Sequence, residues 1–320
     1  LNQIGIKAKS FSAAQISMRT TNTFSKAKIL DIDDKKILDT LADGYIPIIT
    51  GFQGITETGD VTTLGRGGSD TTAVAIAASI KAKQCDIYTD VDGIYTTDPR
   101  MVPNAKKLDA ISMEEMLEMA GKGAKVIQIR AVEFANKFNV PVRVLSSFEQ
   151  GNGTLIYLKD DNNMENALVS GIAFQKDQVK MTLHGVTDTP GIAYQILGPL
   201  SDENIEVDVI VQNVSVNGKT DFTFTVSEED KASAEAVLRN LTDLTFDDLF
   251  IDADIAKVSL VGVGMRTHAG VASTAFKALS DNEINIQMIS TSEIKITIVI
   301  KEGALESAVK ALHSAFQLDK

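Results

Sequence analysis

The 320-residue chain has no tryptophan, one cysteine, three histidines and six prolines, and no apolar run long enough to span a bilayer. The single cysteine, Cys85, excludes an internal disulfide, and its apolar, strand-like surroundings suit a core thiol better than a nucleophile. The histidines stand without metal-ligand spacing, so no metal site is assigned to them. Basic residues are the minority: 31 Lys and Arg against 43 Asp and Glu leave a net charge of −12, which argues against a nucleic-acid partner. Anionic small substrates are not excluded, because a local Arg/Lys cluster can override the global field. No basic-then-apolar leader opens the sequence. The expectation is a cytoplasmic enzyme or regulator of two or three domains, away from membranes.

What is present concentrates between Val61 and Arg100. Gly65-Arg66-Gly67-Gly68-Ser69-Asp70 runs straight into a helix-like TTAVAIAASIKA segment. Backbone amides without side chains approach an anion closely, and a helix N-terminus adds a positive dipole end. Arg66 offers a planar fork for a carboxylate or phosphate. Cys85 to Asp90 reads as a strand, and Val91-Asp92-Gly93-Ile94-Tyr95-Thr-Thr-Asp98-Pro99-Arg100 as a polar loop past its end, where ligands sit in open α/β sheets. Taken alone, the glycines read equally well as a tight turn, Asp92-Gly93 and Asp98-Pro99 as turn formers, and Ser69 and Asp70 as helix caps. The pattern is neither a Walker A loop nor a dinucleotide fingerprint.

Residues 1 to about 150 alternate strand and helix signals, which implies a largely parallel sheet covered on both faces. Ser112 opens a helix with a capping-box glutamate at Glu115. Gly151-Asn-Gly153 and the polar run after Lys159 break the pattern, and a linker is placed at 154–166. An internal repeat follows. The stretch from Val179 aligns without gaps to that from Val258, and Val179, Gly185, Gly191, Ala193, Leu200, Ser201, Asp202, Ile205 and Ile210 each meet an identical residue. Each copy reads as a βαββαβ module. In the first, the free amides after Thr189-Pro190-Gly191 suit a carboxylate and Asp188 an ammonium group. Asp208 and Gln212, four apart on a strand, share a face and are expected to close over the same ligand.

TLGRGGSDTTA, YTDVDGIYTTDPR and Lys122-Gly-Ala-Lys125-Val, in that order, closely resemble the aspartate kinases of the amino-acid kinase family, and the repeats resemble ACT modules. The resemblance implies an α/β fold: a partial amino-acid-kinase-type parallel-sheet sandwich over 1–153, then two ACT modules, 179–253 and 167–174 plus 256–320, one inserted within the other. It implies transfer of the ATP γ-phosphoryl group, with Mg2+, to the side-chain carboxylate of L-aspartate, a step toward lysine, threonine and methionine. Arg66, Gly67, Gly68, Ser69 and Asp70 would hold substrate and the transferring group, with Asp70 orienting a lysine or metal. Thr89, Asp90, Tyr95, Asp98, Arg100 and Lys125 would meet the nucleotide.

Lysine and/or threonine would bind at Asp188, Pro190, Gly191, Ile192, Ala193, Asp208, Gln212 and Asn213. The counterparts in the second copy are Gly270, Val271, Ala272, Asn285, Ile286, Ser292 and Glu293; either Glu293 stands in for the missing acid or this copy mainly builds the dimer interface. Paired ACT modules would join chains into a homodimer or higher homo-oligomer. The family's Lys-Phe-Gly-Gly segment, whose lysine bridges the phosphates, has no counterpart in these 320 residues, and the sequence is expected to lack its natural N-terminus. A non-catalytic effector-binding subunit or fragment is the alternative.

Overall fold

The computed structural model describes residues 1–124, 126–158, 167–213, 218–241, 244–268 and 270–320. The chain forms two compact units. One comprises Leu1–Gly171, Val261–Gly264 and Leu318–Lys320, the other Ile172–Leu260 and Met265–Gln317.

The first unit contains β1 (Ala8–Phe11), β2 (Arg19–Thr20), β3 (Ile29–Asp31), α1 (Lys35–Ala42), β4 (Ile46–Ile49), β5 (Gln53–Ile55), β6 (Val61–Thr63), α2 (Gly68–Ser79) and β7 (Cys85–Thr89). β8 (Ala110–Ser112), α3 (Met113–Gly121), α4 (Ile129–Phe138), β9 (Val142–Ser146) and β10 (Thr154–Tyr157) follow. β1 and β4 pair in parallel, and β3-β2-β5-β6 make a small mixed sheet. The sheet β7-β9-β10-β8 is parallel between β7 and β9 and between β10 and β8, in line with the largely parallel expectation, with one antiparallel pair, β9 and β10, at its centre. The same hairpin corrects the linker. Gly151-Asn-Gly153 ends its connecting loop, 147–153, with Gly153 at φ +59, and Thr154 and Ile156 are fully buried beside β9. A run of glycines signals a turn, and nothing local says whether the chain then leaves the sheet or folds back onto it. Residues 159–166 lie outside the described residues. Ser112 and Glu115 form the expected capping box at the start of α3. The core gathers Val74 of α2, Ile87 of β7, Met116 and Met119 of α3, Ala131 and Val132 of α4, and Val142 and Val144 of β9. Each large apolar side chain so buried contributes about 1.5–3 kcal/mol.

The second unit contains β11 (Gly171–Thr187), α5 (Ile192–Asp202), β12 (Asp208–Gln212), β13 (Lys219–Ser227), α6 (Lys231–Arg239), β14 (Asp248–Val261), α7 (Val271–Asp281), β15 (Met288–Thr291), β16 (Lys295–Lys301) and α8 (Leu305–Ala315). The sheet order is β12-β13-β11-β14-β16-β15, so the two long strands β11 and β14 lie at its centre and one copy of the repeat occupies each side. Of the segment 167–174, read as a strand of the second copy, Gly171–Phe174 form the first part of β11, which neighbours β14. α5 and α7 start after Gly191 and Gly270, at φ +95 and +101, a conformation that costs glycine little and other residues more. Val209 of β12 packs in one cluster with Ile255 of β14, Val299 of β16 and Met288 of β15, which brings side chains of both copies together.

Candidate functional site

The glycine loop sits at the start of α2, and its glycines answer to space as well as to backbone angle. Gly67 has φ +67, and a Cβ there would lie 2.1 Å from Cγ of Gln128; at Gly68 a Cβ would lie 2.9 Å from side-chain atoms of both Leu64 and Phe52. Gln128 is the N-cap of α4, its Oε1 accepting from the amide of Arg130, so the N-termini of α2 and α4 begin side by side. Arg130 donates to the carbonyls of Leu64, 2.6 Å, and Ala27, 2.9 Å, and thereby clamps the entry to the loop. Arg66 is exposed and forms no ion pair among the described residues.

Ser69 and Asp70 lie inside α2, whose cap is Gly67, so neither is a helix cap. The Asp70 carboxylate accepts from the Gln128 amide at 3.4 Å and from the Ser69 hydroxyl at 3.5 Å. Burial pushes its pKa above the ordinary carboxylate value despite these two bonds. No lysine pairs with it among the described residues, so its observed work is to tie α2 to α4. Lys125 lies outside the described residues.

The second group of expected residues follows β7. Thr89 donates its hydroxyl to Asp90 at 3.1 Å. The Tyr95 hydroxyl donates to Asp92 at 3.0 Å, and Lys107 Nζ donates to the other oxygen of that carboxylate at 3.0 Å. Burial works to raise the Asp92 pKa, but these bonds outweigh it and hold the group below the usual range. Burial and the same carboxylate push the Tyr95 phenol up. Asp98 and Arg100 grip each other in a two-pronged pair at 3.1 and 3.0 Å, which keeps the Asp98 pKa low. Gln128, Arg130, Asp92 and Lys107 were not singled out as site residues from sequence. Asp92-Gly93 reads as a turn, and the partners of the other three are distant in the chain, so composition and spacing carry no signal for them.

In the second unit an open cleft of roughly 450 Å³ is lined by Asp188, Thr189, Pro190, Gly191, Ile192, Ala193 and Gln212. Asp208 is not among them. β12 carries an extra residue: Asp208 pairs with Thr225 but Val211 with Thr223 and Gln212 with Phe222, while Val209 takes φ +47. Such a bulge reverses the alternation of side chains. Asp208 and Gln212, expected on one face, therefore lie on opposite faces. Asp208 instead accepts from Lys257 Nζ at 2.8 Å. Asn213 follows β12 and is exposed, its carbonyl accepting from the Thr220 hydroxyl.

In the second copy Gly270 caps α7, Val271 is buried and Ala272 half-buried behind it, and Asn285 and Ile286 precede β15. Ser292 opens a tight turn closed by its amide on the Lys295 carbonyl. Glu293 pairs with Arg266 at 3.2 Å.

Comparison with known proteins bears on both units. Residues 1–146 match the amino acid kinase family, and 182–240 and 258–316 match the ACT domain. Aspartate kinase of Pseudomonas fluorescens is 57% identical over 100% of this chain and 78% of its own length. Aspartokinase of Corynebacterium glutamicum is 46% identical over 99% of this chain and 77% of its own. Among solved structures, E. coli aspartokinase III in complex with aspartate and ADP superposes with a TM-score of 0.82 at 31% identity, over 98% of this chain and 71% of that one. With likeness of this degree running through the glycine loop, the YTTDPR segment and both ACT repeats, the chain belongs to the aspartate kinase family of phosphotransferases.

Proposed function

We propose that the polypeptide transfers the γ-phosphoryl group of Mg-ATP to the side-chain carboxylate of L-aspartate, giving 4-phospho-L-aspartate and ADP, and that amino acids bound in the ACT unit restrain it. The observation that carries the reading is Arg66, an exposed guanidinium with no ion pair among the described residues, on the glycine loop where two helices begin side by side. Arg66 takes the α-carboxylate of aspartate and leaves the other carboxylate facing phosphorus. That oxygen attacks the γ-phosphorus, the bond to the β,γ-bridging oxygen breaks, and ADP leaves with the electron pair. Both partners are anionic, so the protein supplies position and positive charge rather than a nucleophile.

Tyr95, fixed by Asp92 and Lys107, gives the nucleotide a held ring face, and Thr89, Asp90, Asp98 and Arg100 line the loop around it. Asp90 and Asp98 are the carboxylates that would face the magnesium ion carried by ATP. The relatives support the reading: E. coli aspartokinase III has been solved with aspartate and ADP, and with lysine and aspartate. The effector reading places the carboxylate of lysine or threonine at the N-terminus of α5, after Gly191, and its ammonium on Asp188, within the observed cleft. The edge strands β12 and β15 are where a second chain would add in a homodimer. Among the described residues no helix is long and apolar enough to cross a membrane, in keeping with a cytoplasmic enzyme.

The test is a hydroxylamine trap with Mg-ATP and L-aspartate on the full natural polypeptide containing these 320 residues, with Arg66→Met as control. Aspartyl hydroxamate that disappears in the variant supports the proposal. No hydroxamate from the natural polypeptide overturns it and leaves an effector-binding protein.

A further inference from the structure

One buried acid has no part in the phosphoryl transfer just described. Glu115, on the first turn of α3, is 3% exposed. One oxygen accepts from the Ser112 amide at 3.1 Å and the Ser112 hydroxyl at 2.6 Å, which is the local capping box. The other accepts from the Ser170 hydroxyl at 2.6 Å and the Val263 amide at 3.0 Å, groups far away in the chain. No lysine, arginine or histidine pairs with it among the described residues. Helix capping needs one of these oxygens; it does not need the second pair.

Ser170 and Val263 are not arbitrary partners. Gly171 begins β11 and Val261 ends β14, so these are two of the three stretches at which the chain passes between its two units, and both belong to the first; the third, Leu318–Lys320, accepts from the Thr96 hydroxyl through the Leu318 carbonyl. The first two run against each other: the Ser170 amide donates to the Val261 carbonyl at 2.8 Å. A Cβ at Gly262 would lie 2.5 Å from the Leu168 carbonyl oxygen, and one at Gly264 2.6 Å from that of Ala167. The glycines of Gly262-Val263-Gly264 thus permit the approach that Glu115 fastens. Gly171 in turn abuts the proposed nucleotide loop, since a Cβ there would lie 3.0 Å from the Thr96 carbonyl oxygen and 2.9 Å from Met119 Cε of α3.

We infer that Glu115 is a positioning residue that couples the ACT unit to the nucleotide loop, by holding two of the interconnecting stretches, at Ser170 and Val263, on the start of α3. The inference rests on the effector reading given above. A buried, fully bonded carboxylate suits the task because its bonds are costly to lose and short-ranged, so the connection has two states, made and broken, rather than a continuum. Movement of β11 or β14 on effector binding then reaches Thr96 and the adjoining Tyr95 without any contact by the effector itself.

The test is hydrogen exchange on the full natural polypeptide with threonine, lysine or both as probes, read at the cleft (188–193) and at the nucleotide loop (91–100), together with inhibition curves. In Glu115→Gln the amide must turn its N–H groups toward one pair of donors. The serine hydroxyls can rotate to accept, but the amide of Ser112 or of Val263 loses its partner. Expected are unchanged protection at the cleft, lost protection change at the loop, turnover without effector within about threefold, and a coupling factor that drops toward unity from the about 5- to 150-fold range usual for allosteric proteins. Ser170→Ala removes one donor and leaves the carboxylate; it should give an intermediate coupling and covers the case in which the glutamine variant does not fold. A purely structural role would lower thermal stability and turnover while leaving the loop's response intact, and that result overturns the proposal alone. Absence of cleft protection in the unaltered protein overturns the effector reading and this proposal with it.

Discussion

Lys257 is the most deeply buried cation among the described residues, 2% exposed, and its ammonium reaches Asp208 at 2.8 Å and the Thr225 hydroxyl at 3.2 Å. Its partner is 40% exposed. The two ends of this pair should therefore respond unequally to mutation. Asp208→Asn keeps the shape and removes the charge, so the buried ammonium loses the carboxylate it donates to at 2.8 Å. Breaking a fully buried pair in this way costs about 3–5 kcal/mol, and because water reaches Asp208 we expect about 2–3 kcal/mol here. Lys257→Met removes the cation, fills the space of its stem and leaves a carboxylate that turns to solvent, at a cost below about 1 kcal/mol. The double variant should resemble Lys257→Met. Urea unfolding followed by far-UV circular dichroism reads the difference. With a slope of about 1–3 kcal/mol per molar urea, the Asp208→Asn midpoint should fall by about 1 M and the Lys257→Met midpoint by far less. Equal losses in the two variants, or a larger loss in Lys257→Met, would refute the reasoning that burial of the lysine sets the energy of the pair.

Gly67→Ala places a methyl 2.1 Å from Gln128 at φ +67, so kcat/KM should fall by at least about 100-fold with the far-UV spectrum unchanged. Arg66→Lys loses the planar fork; the KM for aspartate should rise about tenfold or more with a smaller change in kcat, measured by coupled ADP release. Arg130→Met removes two charged donors to the Leu64 and Ala27 carbonyls, each worth about 1.5–3 kcal/mol, and should lower both the thermal midpoint and kcat. Burial pushes the Cys85 thiol up to about 11, so the protonated form dominates below that pH. At pH 8 only about one molecule in a thousand carries the thiolate, and Ellman's reagent should react with the native protein far more slowly than with the urea-unfolded chain.

Much of the fold was legible because its signals are local. Alternating apolar patterns mark β7 and β9, the Ser112–Glu115 spacing marks the start of α3, and two glycines at matching places in the repeat mark the starts of α5 and α7. The hairpin from β9 into β10 was not legible. Its antiparallel return depends on the fit of Thr154 and Ile156 beside Val142 and Val144, a pairing that a strong turn signal hides rather than reveals. The kinase motifs stood out as ligand-binding segments because glycines, an arginine and aspartates seldom gather without a turn or an anion to explain them. Their supports did not stand out, since Gln128 and Arg130 reach the glycine loop only once α4 is packed against α2.

Asp208 shows the same limit from the other side. Its spacing from Gln212 predicts one shared face, and in an unbroken strand that is what four residues give. A single extra residue at Val209 undoes it, and the carboxylate meets a lysine 49 positions away instead of the cleft. Regular periodicity therefore locates a strand more securely than it orients the side chains along it. The consequence for the effector reading is specific. Among the described residues that line the cleft the only acid is Asp188, and the residue facing it from β12 is the neutral Gln212. Removal of Asp188 should thus abolish amino-acid inhibition, whereas Lys257→Met, which removes the ammonium from Asp208 on the other face, should leave the half-inhibiting concentration within about twofold. Inhibition that follows Asp208 rather than Asp188 would mean that the effector sits on the opposite face of β12.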